Sequence, residues 1–86
     1  MNSLRLLRPT EVEHRTGLKH SRLYADIAAG TWPPYVKRGP RISVLPEHEL
    51  DAMLVAIIGG ATPDDLRQLV KQLVARRKVI VQAGTS

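Results

Sequence analysis

Val12-Glu13-His14-Arg15-Thr16-Gly17-Leu18-Lys19-His20-Ser21-Arg22-Leu23-Tyr24 reads as two short helices joined by a glycine-centred turn, the sequence form of a helix-turn-helix. Gly17 takes positive φ without steric cost, so one helix can stop there and the chain can reverse within about four residues. Val12, Leu18, Leu23 and Ile27 fall where two such helices face each other. Lys19, His20, Ser21 and Arg22 open the second helix, the end that a recognition helix presents to a major groove. Double-stranded DNA is the partner this stretch predicts.

Working outward, Ser3 to Leu7 reads as a short strand, and Pro9 suits a first helical position, where its missing N–H does no harm. The first helix is expected over Pro9 to Arg15 and the second from about His20 to Ala29, with Gly30 as terminator. Thr31-Trp32-Pro33-Pro34 cannot continue a helix and reads as an extended linker. Tyr35 to Lys37 and Ile42 to Leu45 read as strands around the tip Arg38-Gly39-Pro40-Arg41, which makes a wing. Pro46 is expected to open a third helix, with Glu47, Glu49 and Asp51 near its positive end and Leu50, Met53, Leu54, Ile57 and Ile58 as its buried stripe. After Gly59-Gly60, Thr62-Pro63-Asp64-Asp65 is a well-formed helix start. The fourth helix carries Leu66, Leu69, Val70, Leu73 and Val74 on one stripe and Arg76, Arg77 and Lys78 at its negative end.

The order of these features resembles the small AlpA-type prophage regulators, which are related to phage excisionases and to the DNA-binding half of MerR-type proteins. The resemblance runs through Arg5-Leu6-Leu7-Arg8, Glu11-Val12, Thr16-Gly17-Leu18, Leu23-Tyr24, Gly30, Trp32-Pro33, the basic hairpin Val36 to Arg41, and Glu49-Leu50-Asp51-Ala52. It spans residues 4 to about 58 and implies a mainly α winged helix-turn-helix with a small β-hairpin, to which this chain adds a C-terminal helix. Where the family usually has a Ser to cap the recognition helix this chain has Lys19, so Ser21 is the alternative cap, with the helix starting two residues later. Leu45 and Met53 stand where the family has Trp, and both keep the positions apolar. The expected organisation is a DNA-binding domain over 1–58, an amphipathic helix over 59–80 that packs on the domain or dimerises, and a flexible tail over 81–86.

Charge supports the same division. Residues 1 to 45 hold 8 basic and 3 acidic residues, which accounts for the whole formal excess of +5, while residues 46 to 86 hold 5 of each. A solvated basic surface explains net charge alone, but asymmetry that coincides with a helix-turn-helix and a basic hairpin favours a phosphate-binding face. Aromatic residues make up only 3%, too few for the stacking platforms that bind single strands. Cysteine is absent, which excludes disulfides, thiolate metal sites and thiol nucleophiles together. No apolar run of signal or membrane-spanning length is present, so the cytoplasm is the default compartment, with a nucleoid-associated, bacterial or phage-encoded protein implied by the resemblance.

The candidate DNA-contacting residues are Arg8, Lys19, His20, Ser21, Arg22, Tyr24, Lys37, Arg38 and Arg41. Arg22 precedes the core position Leu23, so it points outward and has the geometry for a bidentate guanine contact. Tyr24 can pack under the wing while its hydroxyl reaches a phosphate. The basic residues of the hairpin reach an adjacent minor groove or backbone. Leu66, Leu69, Val70, Leu73 and Val74 are the candidate oligomer or partner interface, since an apolar stripe of that size needs cover.

Catalysis is not expected. His14, His20 and His48 lack metal-ligand spacing, and Glu47-His48-Glu49 diverge around a helix, so neither a metal nor a cofactor is implied. The leading expectation is a sequence-specific transcriptional regulator. An excisionase-type architectural factor, working with an integrase, is the alternative on the same fold, and a protein-interaction module acting through the fourth helix is a further one. A homodimer, head-to-tail assembly on DNA, and contact with an integrase or the transcription machinery stay open at this stage.

Overall fold

A computed structural model describes residues 5–85, with side chains through Lys78. The elements run β1 (Leu6–Leu7), α1 (Pro9–Thr16), α2 (His20–Ala29), β2 (Val36–Gly39), β3 (Ile42–Pro46), α3 (Glu47–Ile58) and α4 (Pro63–Thr85). Three strands form an antiparallel sheet in the order β1-β3-β2, so β3 is central and the hairpin β2–β3 projects as a wing. This is a winged helix-turn-helix, as the order of sequence features implies. The part of the expected first strand before Leu4 and at Leu4 lies outside the described residues, and the pairing of Leu6 with Pro46 and Leu7 with Leu45 is what holds the remainder.

The core collects one or two apolar residues from every layer: Leu7, Val12, Leu23, Trp32, Leu45, Leu50, Met53, Val70 and Leu73. Leu45 and Met53 are fully buried, and Trp32 supplies bulk from the linker. The Trp32 indole N–H is buried without a partner among the described residues.

Pro46 closes β3 and serves as the N-cap of α3, so the helix proper begins at Glu47, one residue later than expected. Within α3, Leu50 and Met53 are buried and Leu54 packs partly against the core. Ile57 and Ile58, expected on the buried stripe, are exposed, Ile58 by 83%. Helical period fixes the side of a helix that faces a core but not how far along that side the cover reaches; here it runs out in the last turn, where Gly60 takes φ +88° and redirects the chain.

A capping box starts α4: the Asp65 amide donates to Thr62 Oγ1 at 3.1 Å and the Thr62 amide donates to Asp65 Oδ2 at 3.0 Å. The helix folds back on the domain. Val70 and Leu73 are buried in its core and Leu66 and Leu69 pack against it, so the chain's own residues cover four of the five positions considered as an interface. Val70 and Leu73 are thereby removed as docking residues, and Val74 alone of the five is exposed. Backbone helix continues to Thr85, past the end expected near residue 80 and through most of the tail assigned to 81–86.

The polar side of the α3–α4 seam is an ion pair. Glu49 is completely buried, and Arg77 grips it in a fork, Nε to Oε2 at 2.8 Å and Nη2 to Oε1 at 2.6 Å. Glu49 is therefore more than a first-turn charge on α3, and Arg77 more than a last-turn charge on α4. On the opposite flank Glu47 receives Arg15 at 2.7 Å and Arg5 at 3.6 Å, which ties α1 and the chain entering β1 to α3.

Candidate nucleic-acid interface

The turn between α1 and α2 is built locally. Gly17 adopts φ +73° and its amide donates to Glu13 O at 2.9 Å, closing α1 with a left-handed cap. The Thr16 hydroxyl donates to Val12 O at 2.8 Å and accepts from the Leu18 amide at 3.1 Å, so one side chain bridges helix and turn. Val12 and Leu23 are buried, with Leu18 and Ile27 packed beside them, and the two helices are locked together on that side.

Lys19, not Ser21, is the N-cap of α2. Its backbone is extended (φ −83°, ψ 164°) and its carbonyl accepts from the Leu23 amide at 3.0 Å, so the helix starts at His20 and Ser21 lies inside its first turn. No side chain caps this end. The first amides of α2 thus have neither a helical acceptor nor a side-chain cap among the described residues.

At 100° per residue, with Leu23 facing the core, Ser21, Ala25 and Ala28 lie at the centre of the outward face of α2. All three are exposed. His20 and Tyr24 occupy one flank, Arg22 and Asp26 the other. On the first flank the His20 and Tyr24 rings lie 4.6 Å apart, and Tyr24 lies 5.8 Å from Tyr35 at the root of the wing. Burial, then the neighbouring Tyr24 and Glu13, push the Tyr35 hydroxyl up to about 12. On the second flank the Arg22 Nε donates to Asp26 at 3.2 Å, an i,i+4 pair in which Arg22 stays 66% exposed. The outward alanines were missing from the candidate residues; the same helical period that marks Leu23 and Ile27 as inward would have found them.

The wing pairs Val36 with Val44, Lys37 with Ser43 and Gly39 with Ile42. Pro40 at the tip cannot take the positive φ of the turns that match strand twist in two-residue hairpins, and an irregularity between Lys37 and Gly39 accommodates the mismatch at Arg38. Lys37, Arg38 and Arg41 are exposed.

Among the described residues the cations fall into groups. Arg5, Arg15 and Arg77 are held in ion pairs that join elements, and Arg22 and Arg67 are in exposed pairs within their own helices. Arg8, Lys19, Lys37, Arg38 and Arg41 are exposed and are in no ion pair. Lys71, Arg76 and Lys78 are also exposed, on a helix that carries Asp64 and Asp65 as well. Arg8 is the N-cap of α1, its carbonyl accepts from the Glu11 and Val12 amides, and the residue is exposed.

Among the described residues no group of three His, Asp or Glu side chains is placed to hold a metal ion. Among the same residues no helix is long and apolar enough to cross a membrane. No curated protein and no solved structure matches the chain. One family model does, that of the prophage CP4-57 regulatory protein (AlpA), over residues 5–52. That span takes in the helix-turn-helix, the wing and the first half of α3, more than half of the chain, and on it the protein belongs to the AlpA family of prophage regulatory proteins.

Proposed function

We propose that this protein is a sequence-specific double-stranded DNA-binding regulator that seats the outward face of α2 in a major groove and lays the wing along the flanking backbone or minor groove. The observation that carries this reading is the division of the cations: those that join elements are paired, while Lys19 at the start of α2 and Lys37, Arg38 and Arg41 on the wing are in no ion pair among the described residues. The open N-terminus of α2 adds amide donors and a positive dipole end where a phosphate would pass. Ala25 and Ala28 keep the centre of the reading face shallow, so the backbone of α2 approaches base edges closely and a thymine methyl has an apolar surface to meet.

Arg22 reads a base by exchanging Asp26 for a guanine edge. Magnitudes favour the exchange: an exposed i,i+4 pair is worth about 0.3–0.5 kcal/mol, whereas a bidentate guanine contact contributes about 1–3 kcal/mol of discrimination. Asp26 then holds the guanidinium extended along the helix before DNA arrives.

Selection of bound duplexes from a random pool, followed by affinity measurement against salt, tests the proposal. A preferred sequence should emerge, and the logarithm of affinity should fall linearly with the logarithm of salt concentration at a slope implying roughly 3–6 phosphate contacts. Absence of duplex binding at low salt would remove the reading. Positions of the selected sites, at promoters or at recombination attachment sites, separate a transcriptional regulator from an excisionase-type factor. Their symmetry reports assembly: direct repeats for head-to-tail copies, a palindrome for a two-fold dimer.

A further inference from the structure

The linker between α2 and the wing, residues 30–34, has to set the angle between two DNA-facing elements, yet it contains neither helix nor strand. Both of its ends are held by α4. Arg67 Nε donates to Ala29 O, the last residue of α2, at 3.1 Å, and its aliphatic stem lies against Gly30, 3.7 Å from where a Cβ would stand. Arg77 Nη2 donates to Pro34 O at 2.8 Å while the same guanidinium grips Glu49. Between these two points Trp32 and Pro33 are buried, Trp32 in the same core cluster as Val70 and Leu73 of α4.

From residue 67 to residue 77 α4 rises about 15 Å. Over that length two of its arginines, ten residues apart, hold the two ends of the linker. Arg67 also sits at the negative end of the α2 dipole, where a cation is favoured.

We infer that Arg67 and Arg77 are positioning residues for DNA recognition: α4 acts as a splint that fixes the angle between the recognition helix and the wing, an inference that rests on the DNA-binding reading above. Both arginines lie on α4, outside the recognition helix and the wing. Both lie outside residues 5–52, the span over which the chain matches the family model.

The absence of cysteine makes the geometry measurable in the full chain. Spin labels on Ala25→Cys in α2 and Arg41→Cys at the wing tip report the helix-to-wing distance by pulsed electron paramagnetic resonance. One narrow distribution is expected in the parent. Arg67→Met, at a partly exposed position, should broaden it without unfolding the protein. The double variant Glu49→Gln/Arg77→Met removes the buried charge together with its partner, so it keeps the fold accessible while releasing Pro34, and it should broaden the distribution further. In unlabelled proteins carrying the same changes, the ratio of affinities for a selected site and a random duplex should fall about 10-fold, the equivalent of one bidentate base contact out of register. The salt slope should stay unchanged, because no phosphate contact is removed.

A distribution as narrow in both variants as in the parent overturns the splint, whatever the DNA result. Broadening with an unchanged affinity ratio, in a parent that binds DNA, overturns the positioning role and leaves the DNA-binding reading standing. A parent that binds no duplex overturns both, and the parent's own titration shows that outcome.

Discussion

At the α3–α4 seam Arg77 is forked onto a carboxylate that is completely buried, whereas at the wing Arg38 and Arg41 meet no acidic group among the described residues. The two regions use the same residue type for opposite ends. At the seam the desolvation of Glu49 is offset only because the guanidinium supplies two charge-assisted hydrogen bonds in good geometry, so the pair contributes when whole and costs heavily when halved. At the wing each cation keeps its hydration and contributes almost nothing to folding, so it remains available to a polyanion. Arg22 stands between the extremes, paired but exposed, with a partner that is easily exchanged.

The sharpest way to break this comparison is to halve the buried pair. Arg77→Met should cost about 3–5 kcal/mol in urea unfolding, because Glu49 is left charged and buried without a partner. Glu49→Leu/Arg77→Met should recover most of that loss, since apolar replacement of a whole buried pair is often neutral or stabilising. Arg38→Ala, by contrast, should leave the unfolding midpoint where it is. A seam variant as mild as the wing variant would mean that the Glu49 fork is idle.

A second pair of substitutions sharpens the boundary of the core. Leu73→Ala, buried under α3, should cost about 2–5 kcal/mol by opening a cavity. Ile58→Ala, on the last turn of α3 and 83% exposed, should stay within about 0.5 kcal/mol of the parent. Comparable losses at the two sites would show that something covers Ile58 in solution, which light scattering on the same samples would register as self-association.

Sequence legibility follows the range of the interactions. Gly17 and Gly30 announce their helix ends because a left-handed cap is a local requirement, and both take positive φ. The capping box at Thr62-Asp65 is equally local. Arg22–Asp26 was legible at i,i+4 spacing, but reading Arg22 only for its outward direction passed over its neighbour. The Glu49–Arg77 fork bridges 28 positions and depends on how two helices cross, so nothing in either neighbourhood reveals it. The same holds for β1, two residues long, which exists because Leu7 lies opposite Leu45. The start of α2 at His20 turned on backbone geometry: Lys19 can be extended as well as Ser can, and only the side-chain oxygen is missing.

On DNA the comparison predicts a split of smaller size. Arg22→Ala should weaken binding to a selected site by about 1–3 kcal/mol and binding to random duplex much less, whereas Arg38→Ala should weaken both alike and lower the salt slope by about one. Equal losses on both duplexes at Arg22 would assign it to phosphate and move base reading to Ser21 and His20.

The mildest effect is expected at the root of the wing, at Tyr35, which packs against Tyr24 on α2 and feels Glu13 on α1. Burial raises the hydroxyl from the ordinary 10.0 to about 12, and the nearby Tyr24 and Glu13 act in the same direction. The folded protein thus holds this proton in a range where the unfolded chain has released it. Stability from this group is complete below pH 10, declines as pH rises toward about 12, and declines no further once both states have lost the proton. Because Tyr35 is only partly buried, solvent screening keeps the effect small. Subtracting the unfolding free energy of Tyr35→Phe from that of the parent at each pH cancels the titration of groups that do not interact with Tyr35. The difference should be flat up to about pH 10 and then fall. A flat difference through the alkaline range would show that the wing root is open to water, and that the ring contact between α2 and the wing is too loose to transmit the geometry α4 imposes.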